Sequence, residues 1–413
     1  MRARHRTRPL VGKASSTLLL LAVALSQASI SQAGPREQAK RMHDRIAGVP
    51  PSASVLDAMA TEISNSRELA AADIAMENSA FYDVTLKNLA APWTNEAQSK
   101  FVPLNDYTAT VIGLVRDGGD FRTVLYDDVL YIGDSGLGLP PYSQSNNNHY
   151  EALENGGFSL KDNLVRTTQS TYSGLPSTAT AGVMTSRAAA RAFFSAGTNR
   201  AMFRFTLMNH MCNDLEQVAD VTRPPDRIRQ DVSRSPGGDS RVFLNNCVGC
   251  HSGMDPMAQA FAYYDYEYNA DTDPDGELGR LVYNTANDRD PITGTRVKAK
   301  YHINSATFEQ GYVTPDDSWD NYWRSGANRR LGWSQDSGFN GSGQGAKSLG
   351  REFAHSEAFA ECQVKKVFEN VCLRPPSDAA DRSQVSSMVA SFRAQGFDLK
   401  QVFAESAVYC MGD

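Results

Sequence analysis

The sequence predicts a mainly α protein, with a helical N-terminal domain followed by a second helical domain that carries long loops. Three observations carry this. Apolar residues recur at helical spacing over 38–90, from Ser186 to Val218, and from Leu349 to the C-terminus. A Pro/Gly/Arg-rich connector, Arg223 to Ser240, separates the helical blocks. The chain has 413 residues, too many for one small domain, so two or three are expected.

The elements follow in order. Residues 1–33 read as a secretory signal peptide. Arg2, Arg4, Arg6, Arg8 and Lys13 form a positive start, Leu18 to Leu25 an apolar run, and Ser31-Gln32-Ala33 a small-x-small cleavage site. The apolar run is too short for a good membrane span; the alternative is an uncleaved N-terminal anchor. Residues 34–180 are expected to form the N-terminal domain. There, Gly48-Val49-Pro50-Pro51 stops a first helix, Leu56, Met59 and Ile63 share a face of the next, and the Ala-rich run Glu68 to Met76 makes another. Residues 100–180 read as short helices and loops. Residues 181–235 add a helical segment and the connector. Its stripe of Met202, Phe203, Phe205, Leu207, Met208 and Met211 reads as core, because methionine fills irregular gaps. In the final domain, 236–413, Asp255-Pro256 reads as a cap and first-turn proline that start a helix.

Cys247-Val248-Gly249-Cys250-His251 carries the chemistry. Cys-x-x-Cys-His is the attachment pattern for c-type haem: one helical turn puts two thiols on one face, spaced for the two vinyl groups, and the histidine follows as proximal iron ligand. With 6 Cys and 7 His in the chain, chance gives about 0.0015 such patterns. A zinc knuckle needs about four ligands, and Cys212, Cys362, Cys372 and Cys410 form no second close pair. A redox dithiol would need a surrounding βαβ pattern. Haem attached outside the cytoplasmic membrane agrees with the signal segment, so the expected location is the periplasm or another exported compartment.

Cleavage after Ala33 removes five basic and no acidic residues. The remaining 36 basic and 47 acidic side chains give a net charge of −11. Such acidity excludes nucleic acid as an expected partner and suits an exported protein that meets a basic redox partner protein. No membrane span is expected after cleavage. There is no phosphate-binding glycine loop and no Ser/His/Asp arrangement.

Several short segments resemble the single-haem cytochrome c cassette of large exported proteins from planctomycetes and other environmental bacteria. They are Gly182-Val183-Met184-Thr185, the helix ending near Cys212, the Pro-rich connector, the haem motif with Met254-Asp255-Pro256, Tyr264-Asp265, and Ser356, Phe359 and Cys362. Arg45 to Trp93 resembles the helical domain that precedes such cassettes, whereas 95–180 is not covered. Val371-Cys372-Leu373-Arg374 departs from the family, which has an uninterrupted apolar stretch there. The resemblance implies a cytochrome c-like helical haem domain more firmly than a reaction.

Four cysteines outside the motif imply two disulfides in an oxidising compartment. Cys362 and Cys372 lie ten residues apart on one expected helix, roughly 15 Å, too far to bond. The resemblance implies Cys212–Cys362, which leaves Cys372–Cys410. On the distal side of the iron, His302, His355 and Met388 are candidate ligands, with His210, Met184 and Met411 further options; Met254 and Met257 lie on the proximal side. Asp271, Asp273 and Asp275, followed by Gly276, have the alternate oxygens of a calcium loop, but Val282 stands where a glutamate would close it. The leading expectation is an exported monohaem electron carrier with one covalent haem c. The alternatives are a haem enzyme with an open distal site, or a haem-containing binding or scaffold protein.

Overall fold

Twelve helices of eight or more residues build the structure, a computed structural model that describes residues 33–195, 199–302 and 309–412. They are α1 (Pro35–Ala47), α2 (Ala53–Ser64), α3 (Glu68–Met76), α4 (Asp106–Asp117), α5 (Asn148–Asn155), α6 (Arg187–Phe194), α7 (Arg200–Met211), α8 (Val248–Ala258), α9 (Gly345–Ala354), α10 (Glu357–Cys372), α11 (Ala379–Ala394) and α12 (Leu399–Cys410). The fold is thus mainly helical, as expected. The expected signal, 1–33, lies outside the described residues except for its last position. Among the described residues, no helix is long and apolar enough to cross a membrane.

Local rules set most boundaries. Gly48 ends α1 with a left-handed φ of 73°, which costs a residue without Cβ little. Ser52, Asn105, Ser186 and Ser356 cap α2, α4, α6 and α10, each accepting a backbone N–H from three residues ahead. The helical spacing that begins at Leu349 breaks first at Ser356, which caps α10 after α9 has ended. Strands are short and lie in three two-stranded antiparallel sheets: β1 (Leu130–Gly133) with β2 (Leu164–Thr167), β3 (Tyr264–Glu267) with β4 (Arg280–Tyr283), and β5 (Ser318–Asp320) with β6 (Ser342–Gln344). Leu130 faces Thr167, Tyr264 faces Tyr283, and Ser318 faces Gln344.

One apolar core runs from Ala39 to Ala407, across both expected boundaries. Helices α10 and α12 pack together, and α12 seats on α1 and α3. Arg41 and Gln38 of α1 donate to the carbonyls of Met411 and Gly412, at 2.5 and 2.8 Å. The apolar face of α1–α3 is therefore covered by the far end of the chain, a pairing that composition along the chain does not reveal. Two disulfides tie the same region: Cys212 to Cys362, with Cα atoms 5.2 Å apart, and Cys372 to Cys410, 5.5 Å apart.

Helix α7 is the central strut and packs on both α8 and α10. Its Met-aromatic stripe is core: Met202, Phe203, Phe205, Leu207 and Met211 are buried. Phe203 lies 5.8 Å from the Trp323 ring and 5.6 Å from Phe353, and Phe205 stacks on Phe193 at 4.6 Å. Burying one such side chain contributes roughly 1.5–3 kcal/mol.

Candidate functional site

The motif lies where a five-residue π-helical turn, Phe243–Cys247, passes into α8. Cys247 is the residue before the helix, and Cys250 and His251 lie in its first turn. Both thiols are half-buried and free, unlike the other four cysteines. The Cys250 thiol points at the Leu215 carbonyl, 3.5 Å away, and burial pushes its pKa up. Gly249 lets the preceding loop lie against the helix: the Asp220 N–H donates to the Gly249 carbonyl at 2.9 Å, and Ser252 Oγ donates to the Asp220 carbonyl at 3.1 Å.

Helix α8 continues through Asp255-Pro256 to Ala258, so the expectation that these residues start a helix is corrected. The Asp255 carboxylate does other work. Its side chain is fully buried and lies one turn after His251, with its two oxygens 3.1 and 3.2 Å from His251 Nδ1. An ionised carboxylate only accepts, so His251 donates from Nδ1 and keeps the Nε2 lone pair free. Arg200, at the start of α7, grips both Asp255 oxygens at 2.8 Å through Nε and Nη2, and both Asp231 oxygens at 2.7 and 2.9 Å through Nη1 and Nη2. Burial by itself would raise the Asp255 pKa, but Arg200 and His251 outweigh it and hold the carboxyl well below the usual range. Burial likewise opposes the Arg200 charge, and the two carboxylates overcome it. Buried Arg229 donates its backbone N–H to Asp255 at 3.3 Å and lies 4.6 Å above the Tyr301 ring. The connector read as a domain boundary is thus part of the site, since Arg229 and Asp231 come from it.

A cleft of about 460 Å³ opens beside His251, lined by Arg200, Ala201, Arg204, Phe205, Leu215, Met254 and Glu96. Its apolar floor with a few charged groups at the rim, and its volume, fit a cofactor site of roughly 300–1,000 Å³. Cys247, Cys250 and His251 are spaced to share one side of α8, and His251 and Met254 line this cleft. These residues fit a covalently held haem.

The distal expectations fare differently. His302 has Nε2 at 3.1 Å from the Thr314 carbonyl. His355 lies between Tyr126 and Phe339, with Nδ1 2.8 Å from the Arg351 carbonyl. Met388 is buried between α11 and α12, its sulfur 3.5 Å from Ser406 Oγ. Packing gives each a separate environment, and none is among the described residues lining the cleft. His210 is also committed elsewhere: its Nε2 is 2.7 Å from the Tyr107 hydroxyl, and burial, aided by Lys366, lowers its pKa to about 3. Met254 lines the cleft together with His251. In the acidic loop, Asp273 accepts the backbone N–H groups of Glu277 and Leu278, both at 2.8 Å, and so holds the turn. Among the described residues, no three His, Cys, Asp or Glu side chains are grouped as metal ligands.

Sequence reading missed Arg200, Arg229 and Asp231, and it read Asp255 as a helix cap. The available signal was the i,i+4 spacing of His251 and Asp255, which places the two side chains on one helix face. No family model, curated protein or solved structure matches the chain, so its functional reading rests on the geometry of these residues.

Proposed function

We propose that the chain is an exported monohaem c-type cytochrome that transfers single electrons through a covalent haem at Cys247, Cys250 and His251. The observation that carries this reading is the division of the cysteines: four are paired in disulfides, and the two in Cys-x-x-Cys-His are free beside a histidine that presents Nε2. Each thiol would add its S–H across one vinyl C=C, forming a C–S bond and passing the hydrogen to the neighbouring carbon, with no net redox change. His251 would ligate iron through Nε2 while Asp255 holds the ring in orientation. Ala201, Phe205, Leu215 and Met254 would exclude water from one face, and Arg200 and Arg204 would supply positive charge at the rim. When bound, the haem supplies the one-electron chemistry.

The signal segment and the two disulfides support export. The net charge of −11 after cleavage favours a partner with a basic docking face. The test is expression of the full chain in a host that matures c-type cytochromes, followed by acid-acetone extraction and a pyridine haemochrome spectrum. The expected result is haem that stays with the protein, with a c-type absorption band. Haem that extracts fully, or no haem at all, would contradict the reading.

A further inference from the structure

His251 stands at the end of a buried chain of charges that runs Asp231, Arg200, Asp255, His251. Every link is a charge-assisted hydrogen bond, and the Arg200 links on both sides are two-pronged. We propose that Asp255 is a positioning residue for haem electron transfer: by accepting the His251 Nδ1 proton in a bond, it strengthens His251 as a donor to iron and biases the centre toward the ferric state. This rests on the haem reading above.

Three features of the geometry support it. The acceptor is a carboxylate with 0% side-chain exposure, so no water competes for its lone pairs. A charged acceptor outside the ligand shell raises the basicity of a ligating imidazole more than a neutral carbonyl does. The arrangement is also directional. Two carboxylates and the guanidiniums of Arg200 and Arg229 balance in charge, but the negative group is the one that touches the imidazole. The balance keeps the cluster tolerable in the interior, and the order of charges puts electron density on the iron side. Arg200 and Asp231 then tune the effect: Arg200 draws density away from Asp255, and Asp231 restrains Arg200.

The experiment is a spectroscopic redox titration of the full-length haem protein and two variants, with covalent haem checked in each. Asp255→Asn keeps an acceptor oxygen and removes the charge. It should retain covalent haem and move the ferric/ferrous equilibrium at least tenfold toward ferrous, a 59 mV rise for one electron. Asp231→Asn leaves the His251 contact in place and should shift the potential in the same direction by a smaller amount. If haem is attached and Asp255→Asn changes the equilibrium by less than twofold, the proposal is overturned while the haem reading stands. If Asp255→Asn yields no folded protein, an unshifted potential in Asp231→Asn overturns it. Wild-type protein without covalent haem overturns both readings.

Discussion

The two ends of α7 are held by opposite means. At the C-terminal end, Cys212 is bonded to Cys362 of α10, and the surroundings are apolar: Leu207, Met211, Phe359 and Val364 are buried there. At the N-terminal end, Arg200 is held by four hydrogen bonds to Asp231 and Asp255, and the neighbouring thiols are free. At one end a covalent bond does the fixing, beside the contacts that Asn209 and His210 make with Trp93 and Tyr107. A polar network fixes the other while aiming a histidine and leaving two sulfurs for further chemistry. The difference shows that rigidity alone does not call for Asp255 and Arg200; a disulfide supplies it more simply at the other end of the helix.

Five variants probe that contrast. The largest expected loss comes from Cys212→Ala with Cys362→Ala. The bond closes a span of 150 residues, and the chain-entropy account gives about 5 kcal/mol, read as a lower urea midpoint. Next, Arg200→Ala leaves two buried carboxylates facing each other, and breaking such a pair costs about 3–5 kcal/mol. If Arg200→Ala unfolds at the wild-type midpoint, the polar end is not structural. Third, Gly253→Ala on α8 would put a Cβ 1.9 Å from Trp323 Nε1, in the fully buried indole. The overpacking should cost about 1–3 kcal/mol by the same titration.

The fourth effect is pH-dependent and belongs to the apolar end. Burial first, and Lys366 second, lower the His210 pKa to about 3. An unfolded histidine titrates near 6.5. Between those values the unfolded chain binds the extra proton, so the contribution is complete above pH 6.5 and declines as pH falls toward 3. Its slope is about 1.4 kcal/mol per pH unit, and it should appear in the difference between wild type and His210→Gln, measured by thermal melts from pH 7 to 4, because the variant has no such group to protonate. Parallel pH profiles for the two proteins would refute it. The smallest effect is expected for Arg204→Ala. Arg204 sits one turn after Arg200, but its pair with Asp214 is 44% exposed on the arginine side, and exposed pairs contribute less than about 1 kcal/mol. Equal losses from Arg204→Ala and Arg200→Ala would erase the distinction between the buried network and the rim.

Much of the fold was legible because it rests on local chemistry. The Ala-rich run became α3 over Glu68–Met76, and Gly48 stopped α1 at Ala47. Met202, Phe203, Phe205, Leu207 and Met211 of the methionine-aromatic stripe are buried, as its spacing implied, and Met208 is half-buried. What sequence could not supply was long-range pairing. Nothing near Pro35 says that its helix will meet Met411, and nothing in the connector's prolines and arginines marks Arg229 and Asp231 as site residues. Asp255-Pro256 misled for a related reason. An Asp-Pro pair often opens a helix, but here the carboxylate finds Arg200, 55 residues earlier, and the helix runs on. The Cys-x-x-Cys-His pattern lay within five consecutive residues and was visible. The groups that hold His251 through Asp255 came from two distant segments, α7 and the connector, and were not.

Cys247 and Cys250 are proposed to carry a haem. Intact-mass measurement of the protein, purified from a host that matures c-type cytochromes, tests this most directly, together with mapping of the peptide that contains the two thiols. The expected result is a mass increased by one haem, located on the peptide with Cys247 and Cys250, and lost when both are changed to alanine. An unmodified mass, or a disulfide between Cys247 and Cys250 in protein from that host, would contradict the account.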